Sequence, residues 1–513
     1  MSTTYSGPVA FLLLLSVLCW WFLSPRPSKL SLPPGPSLLN PMNLPKRAVW
    51  HTLHDMHKKY GPIFSLKLGS RTAIVVGDRQ MIHDLLTKRG NNYSSRPRSI
   101  LSDKYLTKGL QPGTMDYTPM MKDIRRGYTH LLNQQRSQEY RQIQDLQSKH
   151  LVYNLLSTND FPAAFHTFTV SVTVALIYGE STSGVGEFSE DIAHTIELIK
   201  ALKQAQTGLA SALADVFPIL DRLPRCLSRW KDRAELIHSN GKRAYTNSMK
   251  AALERDVWSF SRELFEKKET RDLSTEQLSF VIGDIFMGAL DTIETTLKIF
   301  VMICLLHPDT VHEAQKELDS VVGRERLPSF EDRNRLPYVN GFISEVMRWR
   351  PLVPIGGPRA PDRDDEYMGY FIPAKCTIIA NQWELDHDPK TFDNPESFQP
   401  ERWIKNPNLP LSVFGFGRRV CPGQTVAMNS LFTTISRLLW AYDITSPDNT
   451  LDKVRAADYT GSSGVLYSPG PFEALLCVRS PGHQQVIEKE WDTADKDVNQ
   501  MLADIKTNAF SKS

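Results

Sequence analysis

The sequence predicts a mainly α-helical protein with small β-sheets (α+β), built as one large domain behind an apolar N-terminal segment. Three observations carry this. A helical pattern runs without proline from Ser274 to His307. At that length, ~33 residues, it makes a rod of ~50 Å, enough to cross a whole core. Strand-like runs are few and short. The first charged residue is Arg26, and Val9 to Leu23 is apolar except for Ser16.

Taken in order, residues 1–25 supply the ~20 residues that a bilayer span requires. Trp20, Trp21 and Phe22 suit a membrane interface. The segment lacks the basic start and small-residue cleavage site of a secretory signal, so it reads as an uncleaved anchor. Arg26 and Lys29 follow it, and the positive-inside rule puts the remainder in the cytosol. Residues 26–45 form a proline-rich linker, where Leu32-Pro33-Pro34-Gly35-Pro36 holds a stiff, extended strut. The body spans 46–482. Within it, 63–68 and 72–76 read as two strands turned at Gly69-Ser70. Ser274 and Gln277 form a capping box at the start of the long helix. Residues 338–349 make another helix, stopped by Pro351. Residues 367–372 and 376–380 are β-like, joined through Pro373. Met428, Leu431, Phe432, Ile435, Leu438 and Leu439 form a helical apolar stripe. The tail, 483–513, reads as a polar surface extension.

Composition narrows the function classes. The 513 residues are 41% hydrophobic and 23% charged, which permits a large core. Lysine plus arginine is 60 against 57 acids, a net charge of +3. That balance argues against nucleic-acid binding, which needs a concentrated basic face. Cysteines stand at 19, 226, 304, 376, 421 and 477. None forms a C-x-x-C pair, so neither a zinc site nor a redox dithiol is suggested. Five of them read as buried or lipid-facing free thiols.

The sixth is Cys421, in Phe414-Gly415-Phe416-Gly417-Arg418-Arg419-Val420-Cys421-Pro422-Gly423. Two glycines allow a tight turn with close backbone approach. A helix starting after the cysteine points free N–H groups at the sulfur and favours thiolate. The two arginines can hold acidic groups. The whole pattern resembles the haem-binding signature of the cytochrome P-450 superfamily, F-G-x-G-x-R-x-C-x-G. The resemblance implies that Cys421 is the axial ligand of heme b and that Arg419 holds a haem propionate. It also implies that Phe414 packs beside the thiolate and that Gly423 lets the next helix approach the ring. Such a thiolate pushes electron density toward O–O cleavage.

Three further motifs agree. Glu345 and Arg348 share a helix face at i, i+3. With the later Pro400-Glu401-Arg402-Trp403 they resemble the family's E-x-x-R and P-E-R segments, which implies a buried structural triad of Glu345, Arg348 and Arg402. Gly288-Ala289-Leu290-Asp291-Thr292-Ile293 is similar to the oxygen-activation motif. It makes Thr292 the oxygen-side alcohol and Asp291 the acid of a proton relay, although Ala289 replaces a glycine and Ile293 a hydroxyl residue. Residues 117–126 resemble the family's W-x-x-x-R helix, with Met121 in the tryptophan place and Arg125 as a propionate contact. Arg359 stands where relatives place another.

The resemblance implies a membrane-anchored monooxygenase most like fungal microsomal members of secondary metabolism. It would insert one atom of O2 into an apolar small molecule, terpenoid or polyketide-like. Electrons would come from NADPH–cytochrome P-450 reductase, because the chain carries no G-x-G-x-x-G after a strand. Phe286, Met287, Leu290, 353–357 and 461–466 are the expected substrate contacts. The expected location is the endoplasmic reticulum membrane, single-pass, with the catalytic domain cytosolic. A haem-thiolate isomerase or dehydratase that needs no O2, and a non-catalytic haem-binding protein, are the alternatives.

Overall fold

The computed structural model describes residues 30–36, 48–68, 71–181, 188–447, 451–458, 460–461 and 466–510. The expected anchor, most of the linker and residues 462–465 lie outside them.

The helices that frame the core are α1 (Val49–Tyr60), α2 (Pro119–Leu132), α3 (Arg141–Asn154), α4 (Phe161–Tyr178), α5 (Glu190–Thr207), α6 (Arg229–Glu254), α7 (Thr275–Leu306), α8 (Pro308–Val321), α9 (Pro337–Trp349), α10 (Gln424–Ala441), α11 (Pro481–Asp492) and α12 (Val498–Phe510). The long helix α7 has 32 residues. Its capping box forms as expected: the Gln277 N–H donates to Ser274 Oγ at 3.2 Å, and the Ser274 N–H donates to Gln277 Oε1 at 2.8 Å. Helix α4 is apolar nearly all round, as a fully buried helix must be. It is long and apolar enough to span a membrane, but 78% of it is buried, and it runs against α7 in the core.

Strands β1 (Ile63–Leu68), β2 (Arg71–Val76), β3 (Asp365–Tyr367), β4 (Tyr370–Ile372), β5 (Thr377–Ala380), β6 (Tyr442–Thr445) and β7 (Leu475–Val478) form small sheets. β1 and β2 pair antiparallel from Ile63 opposite Val76, and β5 adds in parallel to β2. The β-like run expected at 367–372 is the turn and second strand of a hairpin. Met368 and Gly369 both take positive φ, 54° and 77°, and reverse the chain between β3 and β4. A two-residue turn of this kind matches the twist of its flanking strands.

The proline strut docks on this sheet region. The Ser65 N–H donates to Pro34 O at 2.8 Å, Ser65 Oγ–H donates to Pro33 O, and the Phe371 N–H donates to Ser31 O. Gly35 permits the approach, since a Cβ there would fall 2.0 Å from Ser65 O.

The tail, expected as a polar surface extension, is helical and packed. It forms α11 and α12, which pack on α3. Ile487, Val498, Met501, Leu502 and Ile505 join the main core, and the Trp491 ring lies 4.8 Å from that of His150. Full burial of such side chains contributes about 1.5–3 kcal/mol each, enough to fix the tail to the body.

The expected triad is present. Glu345 and Arg348 are both 0% exposed. Arg348 Nε and Nη2 donate to Glu345 at 2.8 and 2.7 Å, and Arg402 Nε donates at 3.1 Å. Trp403 Nε1 and the Gln399 N–H complete the carboxylate's shell at 2.9 Å each. A buried charge is tolerated only when paired and bonded in this way. The network ties α9 to the segment that leads into the Cys421 loop.

Candidate active site

The Cys421 loop is a chain of tight turns. Gly415 and Gly417 take φ of 76° and 57°. At Gly417 a Cβ would lie 2.0 Å from Leu86 O, so only glycine fits there. The Cys421 N–H donates to Phe414 O at 2.8 Å, which folds the loop back on itself and aims the thiol into a cavity. Cys421 is open to that cavity yet lies deep in the protein. Burial raises its thiol pKa, while the Gly423 N–H and Arg125 act in the opposite direction. Helix α10 starts directly after Gly423.

The cavity holds about 250 Å³ between α7 and the start of α10. Asp284, Ile285, Gly288, Ala289, Thr292 and Ile293 line it from α7; Cys421, Pro422, Gly423, Val426 and Ala427 line it from the other side. Phe168, Val172 and Leu176 of α4 make its apolar wall. A Cβ added at Gly288 or at Gly423 would meet nothing within 4 Å among the described residues, so both glycines leave open space in the gap.

Helical phase decides which expected residues reach the cavity. Successive helix residues point ~100° apart. Thr292 lies on the cavity face, with its Oγ1–H donating to Gly288 O at 3.1 Å. Asp291 does not line the cavity: its half-exposed carboxylate pairs with Lys203 of α5. Phe286 and Leu290 also point away into the core, where the Phe286 ring meets Tyr178 at 5.3 Å. Met287 accepts from Gln111 Nε2 outside the cavity wall. Residues 353–357 are not among the cavity-lining residues either.

Four arginines gather beside the loop. Arg125 donates to Val420 O at 2.6 Å. Arg419 donates to the carbonyls of Ser94, Pro112 and Met115. Arg359 donates to Phe416 O at 3.1 Å, and its buried Nε has no partner among the described residues. Arg96, which the sequence reading missed, donates to Gly113 O and Pro358 O. Among the described residues no carboxylate forms an ion pair with any of them. Burial and mutual repulsion lower Arg359 to about 8, and burial first, then Arg96, lowers Arg419 to about 10. Buried cations without counter-ions want anions. A flat dianionic ring with a metal centre answers the orphan Nε, the uncompensated charge, the open glycines and the inward thiol together. The residues present therefore fit haem. Met121 packs in the core, as its place in the motif implied.

The cytochrome P450 family model matches residues 31–473. The chain belongs to the cytochrome P450 family. It is 37% identical over 479 residues to cytochrome P450 monooxygenase FrzL of a Cladobotryum species, covering 92% of each chain. It is 38% identical over 500 residues to cytochrome P450 monooxygenase aneD of Aspergillus aculeatus, covering 96% of this chain and 95% of the relative. A zebra fish cytochrome P450 solved with abiraterone shares the fold, with a TM-score of 0.69 at 24% identity over 84% of this chain and 100% of that one. The protein is thus a P450 monooxygenase, an oxidoreductase with a haem-thiolate cofactor. Relatives named as monooxygenases do not favour the isomerase and non-catalytic alternatives.

Of the remaining cysteines, Cys304 and Cys376 are buried as expected, but Cys226 and Cys477 are exposed.

Proposed function

We propose that Cys421 is the axial thiolate of this P450 and that Arg419, Arg359, Arg125 and Arg96 hold the two haem carboxylates. The single observation that carries the reading is one cavity, walled by Thr292 and by Cys421, beside whose loop Arg359 is buried with an Nε that has no partner among the described residues. Phe414 and Gly423 shape the near side of the thiolate. Bound there, haem b supplies oxygen activation, with the thiolate pushing electron density toward O–O cleavage.

The chain's own residues govern protons and water. The Thr292 hydroxyl, held at rest on Gly288 O, turns on one side-chain torsion to donate into the cavity. Asp291 is the proton source, and it must leave Lys203 to serve. The apolar wall of Phe168, Val172, Leu176 and Ile293 excludes bulk water and favours a largely apolar substrate. An intermediate of fungal secondary metabolism, terpenoid or polyketide-like, is the substrate class we infer.

NADPH–cytochrome P-450 reductase is the inferred electron donor. A surface hollow beside Arg125, lined by Lys122, Arg126 and His130, offers a basic docking face to an acidic partner. Residence on the endoplasmic reticulum membrane is inferred from the charge-free N-terminus and from exposed apolar side chains. Leu209, Phe217, Ile219 and Leu227 are 73, 49, 62 and 70% exposed within one stretch, an apolar surface suited to lipid.

The test reconstitutes the protein with the reductase, NADPH and O2, feeds candidate substrates, and follows product, peroxide and NADPH. Thr292→Ala should keep haem and NADPH consumption and release more peroxide per product. Unchanged coupling in that variant, or conversion by wild type without O2 or NADPH, would overturn the reading.

A further inference from the structure

The Cys421 loop is held from two sides. Its later half, 416–420, is gripped by arginines: Arg359 donates to Phe416 O and Arg125 to Val420 O. Its entry, 412–415, is held by a different group. Ser412 is 0% exposed, and its Oγ–H donates to Asp386 Oδ1. Among the described residues this is the one polar side-chain bond on 412–415. The Ser412 carbonyl accepts the Gly415 N–H at 2.9 Å, and Phe414 O accepts the Cys421 N–H at 2.8 Å. Leu411 and Val413 pack on the core, but apolar contact is non-directional and leaves the orientation of these peptides to the hydrogen bonds.

Asp386 is tied in turn to the buried triad. It ends the short helix Gln382–Asp386, is 0% exposed, and its own carbonyl accepts from Arg348 Nη1 at 2.8 Å. A continuous buried path therefore runs from Glu345 and Arg348 through Asp386 and Ser412 to the turn that carries the thiol. Packing does not explain the carboxylate. Its Oδ2 has no partner among the described residues, and a buried carboxylate met on one oxygen is costly. Burial raises its pKa to about 7, against the Ser412 bond and the charges of Arg79 and Arg348, while Glu345 adds to the rise. An apolar side chain would fill the place at lower cost. What the carboxylate adds is a charge-assisted bond to Ser412, roughly twice as strong as a neutral one.

We propose that Asp386, acting through Ser412, is a positioning residue for the thiolate: it fixes the entry of the Cys421 loop and so the place of the sulfur. The proposal rests on the reading of Cys421 as the axial ligand. Arg359 and Arg125 meet only the other half of the loop, so the entry depends on this one anchor.

The test uses full-length, haem-loaded protein at pH 8, where Asp386, raised to about 7, is mostly ionised. One readout is amide hydrogen exchange over 412–421. The other is the rate at which the reduced carbon monoxide complex loses its thiolate band in mild urea. Ser412→Ala should speed both ~10-fold or more, the range for a hydrogen bond to a charged group, while α7 keeps its wild-type exchange. Asp386→Asn, whose amide oxygen still accepts, should fall between Ser412→Ala and wild type. The double variant should be no faster than Ser412→Ala alone, because both substitutions act on one bond. Ser137 is equally buried and donates to Asn133 O at 2.7 Å, with no bond to 412–421; Ser137→Ala should leave both readouts at the wild-type rate. Unchanged rates in Ser412→Ala overturn the proposal. So does an equal effect in α7 or in Ser137→Ala, which a general loss of stability would produce, and so do effects that multiply in the double variant. A wild type without the thiolate band sinks the Cys421 reading and the proposal with it, whereas a wild type with the band and an unchanged Ser412→Ala sinks the proposal alone. Should Ser412→Ala load no haem, Asp386→Asn decides, and rates equal to wild type overturn the proposal.

Discussion

Arg359→Leu should shift the protein in two opposite directions at once. With no anion present, the Arg359 guanidinium is buried among Arg96, Arg419 and Arg125 with an unpartnered Nε. Its fall to about 8 sets an upper bound of ~6 kcal/mol on what its charge costs the haem-free fold, at 1.36 kcal/mol per pKa unit. Relaxation and water reduce that figure, so a gain of ~1–2 kcal/mol on removing the charge is the working expectation. With haem bound, the same guanidinium meets a carboxylate. Loss of a hydrogen bond to a charged group costs about 1.5–3 kcal/mol, which makes haem loss ~10- to 150-fold faster. The assay pairs thermal melting of the haem-stripped protein with transfer of haem from the loaded protein to excess apomyoglobin. The haem-stripped variant should melt above wild type while the loaded variant gives up haem faster. Equal haem retention, or a lower melting point in both forms, would refute the reasoning that the arginine cluster is built for an anion.

Three other outcomes are expected. Glu345→Gln should cost about 3–5 kcal/mol, because it leaves two buried guanidiniums without their counter-charge; the yield of haem-loaded protein and its melting temperature would show it, and a melting temperature equal to wild type would contradict it. Asp291→Asn should slow turnover ~10-fold or more, since an amide cannot relay a proton, whereas Lys203→Met should change it by less than ~3-fold; equal damage from both would mean that the ion pair, not the acid, is what matters. Burial raises Asp386 to about 7 despite its bond from Ser412. A raised acid binds its proton more tightly in the native state, so its contribution lowers stability as pH rises from ~4 to 7. Asp386→Asn should therefore gain on wild type in melting temperature between pH 5 and pH 8, and a constant difference would refute this.

The parts legible in the sequence are those whose chemistry is local. The capping box at Ser274 and Gln277 needs only four consecutive residues and forms as written. The Phe414 to Gly423 motif encodes its own turn, through the positive φ of Gly415 and Gly417. Glu345 and Arg348 sit one turn apart, so their pairing is visible locally, and the two motifs together add Arg402; the Trp403 and Gln399 N–H donors to the same carboxylate follow from packing that the motifs do not describe. What failed depended on long-range placement. Arg96 and Asp284 look like surface residues in the chain and become special only where α7 meets the Gly113 loop. Phe286 and Leu290 were assigned to the cavity by their apolar character, while the phase of α7 turns them into the core. The tail was misread by its charge, although Val498, Met501, Leu502 and Ile505 carry the i, i+3, i+4, i+7 spacing of an amphipathic helix; its partner surface on α3 is some 350 residues upstream.

The central claim, that Cys421 is the sulfur on the iron of this P450, is tested most directly by one spectrum. Reduced, carbon monoxide-bound wild type should absorb near ~450 nm, as an axial thiolate requires. Cys421→His, with haem still bound, should lose that band and all oxygenation. A histidine-type spectrum from correctly folded wild type, or a thiolate band that survives in Cys421→His, would contradict the account.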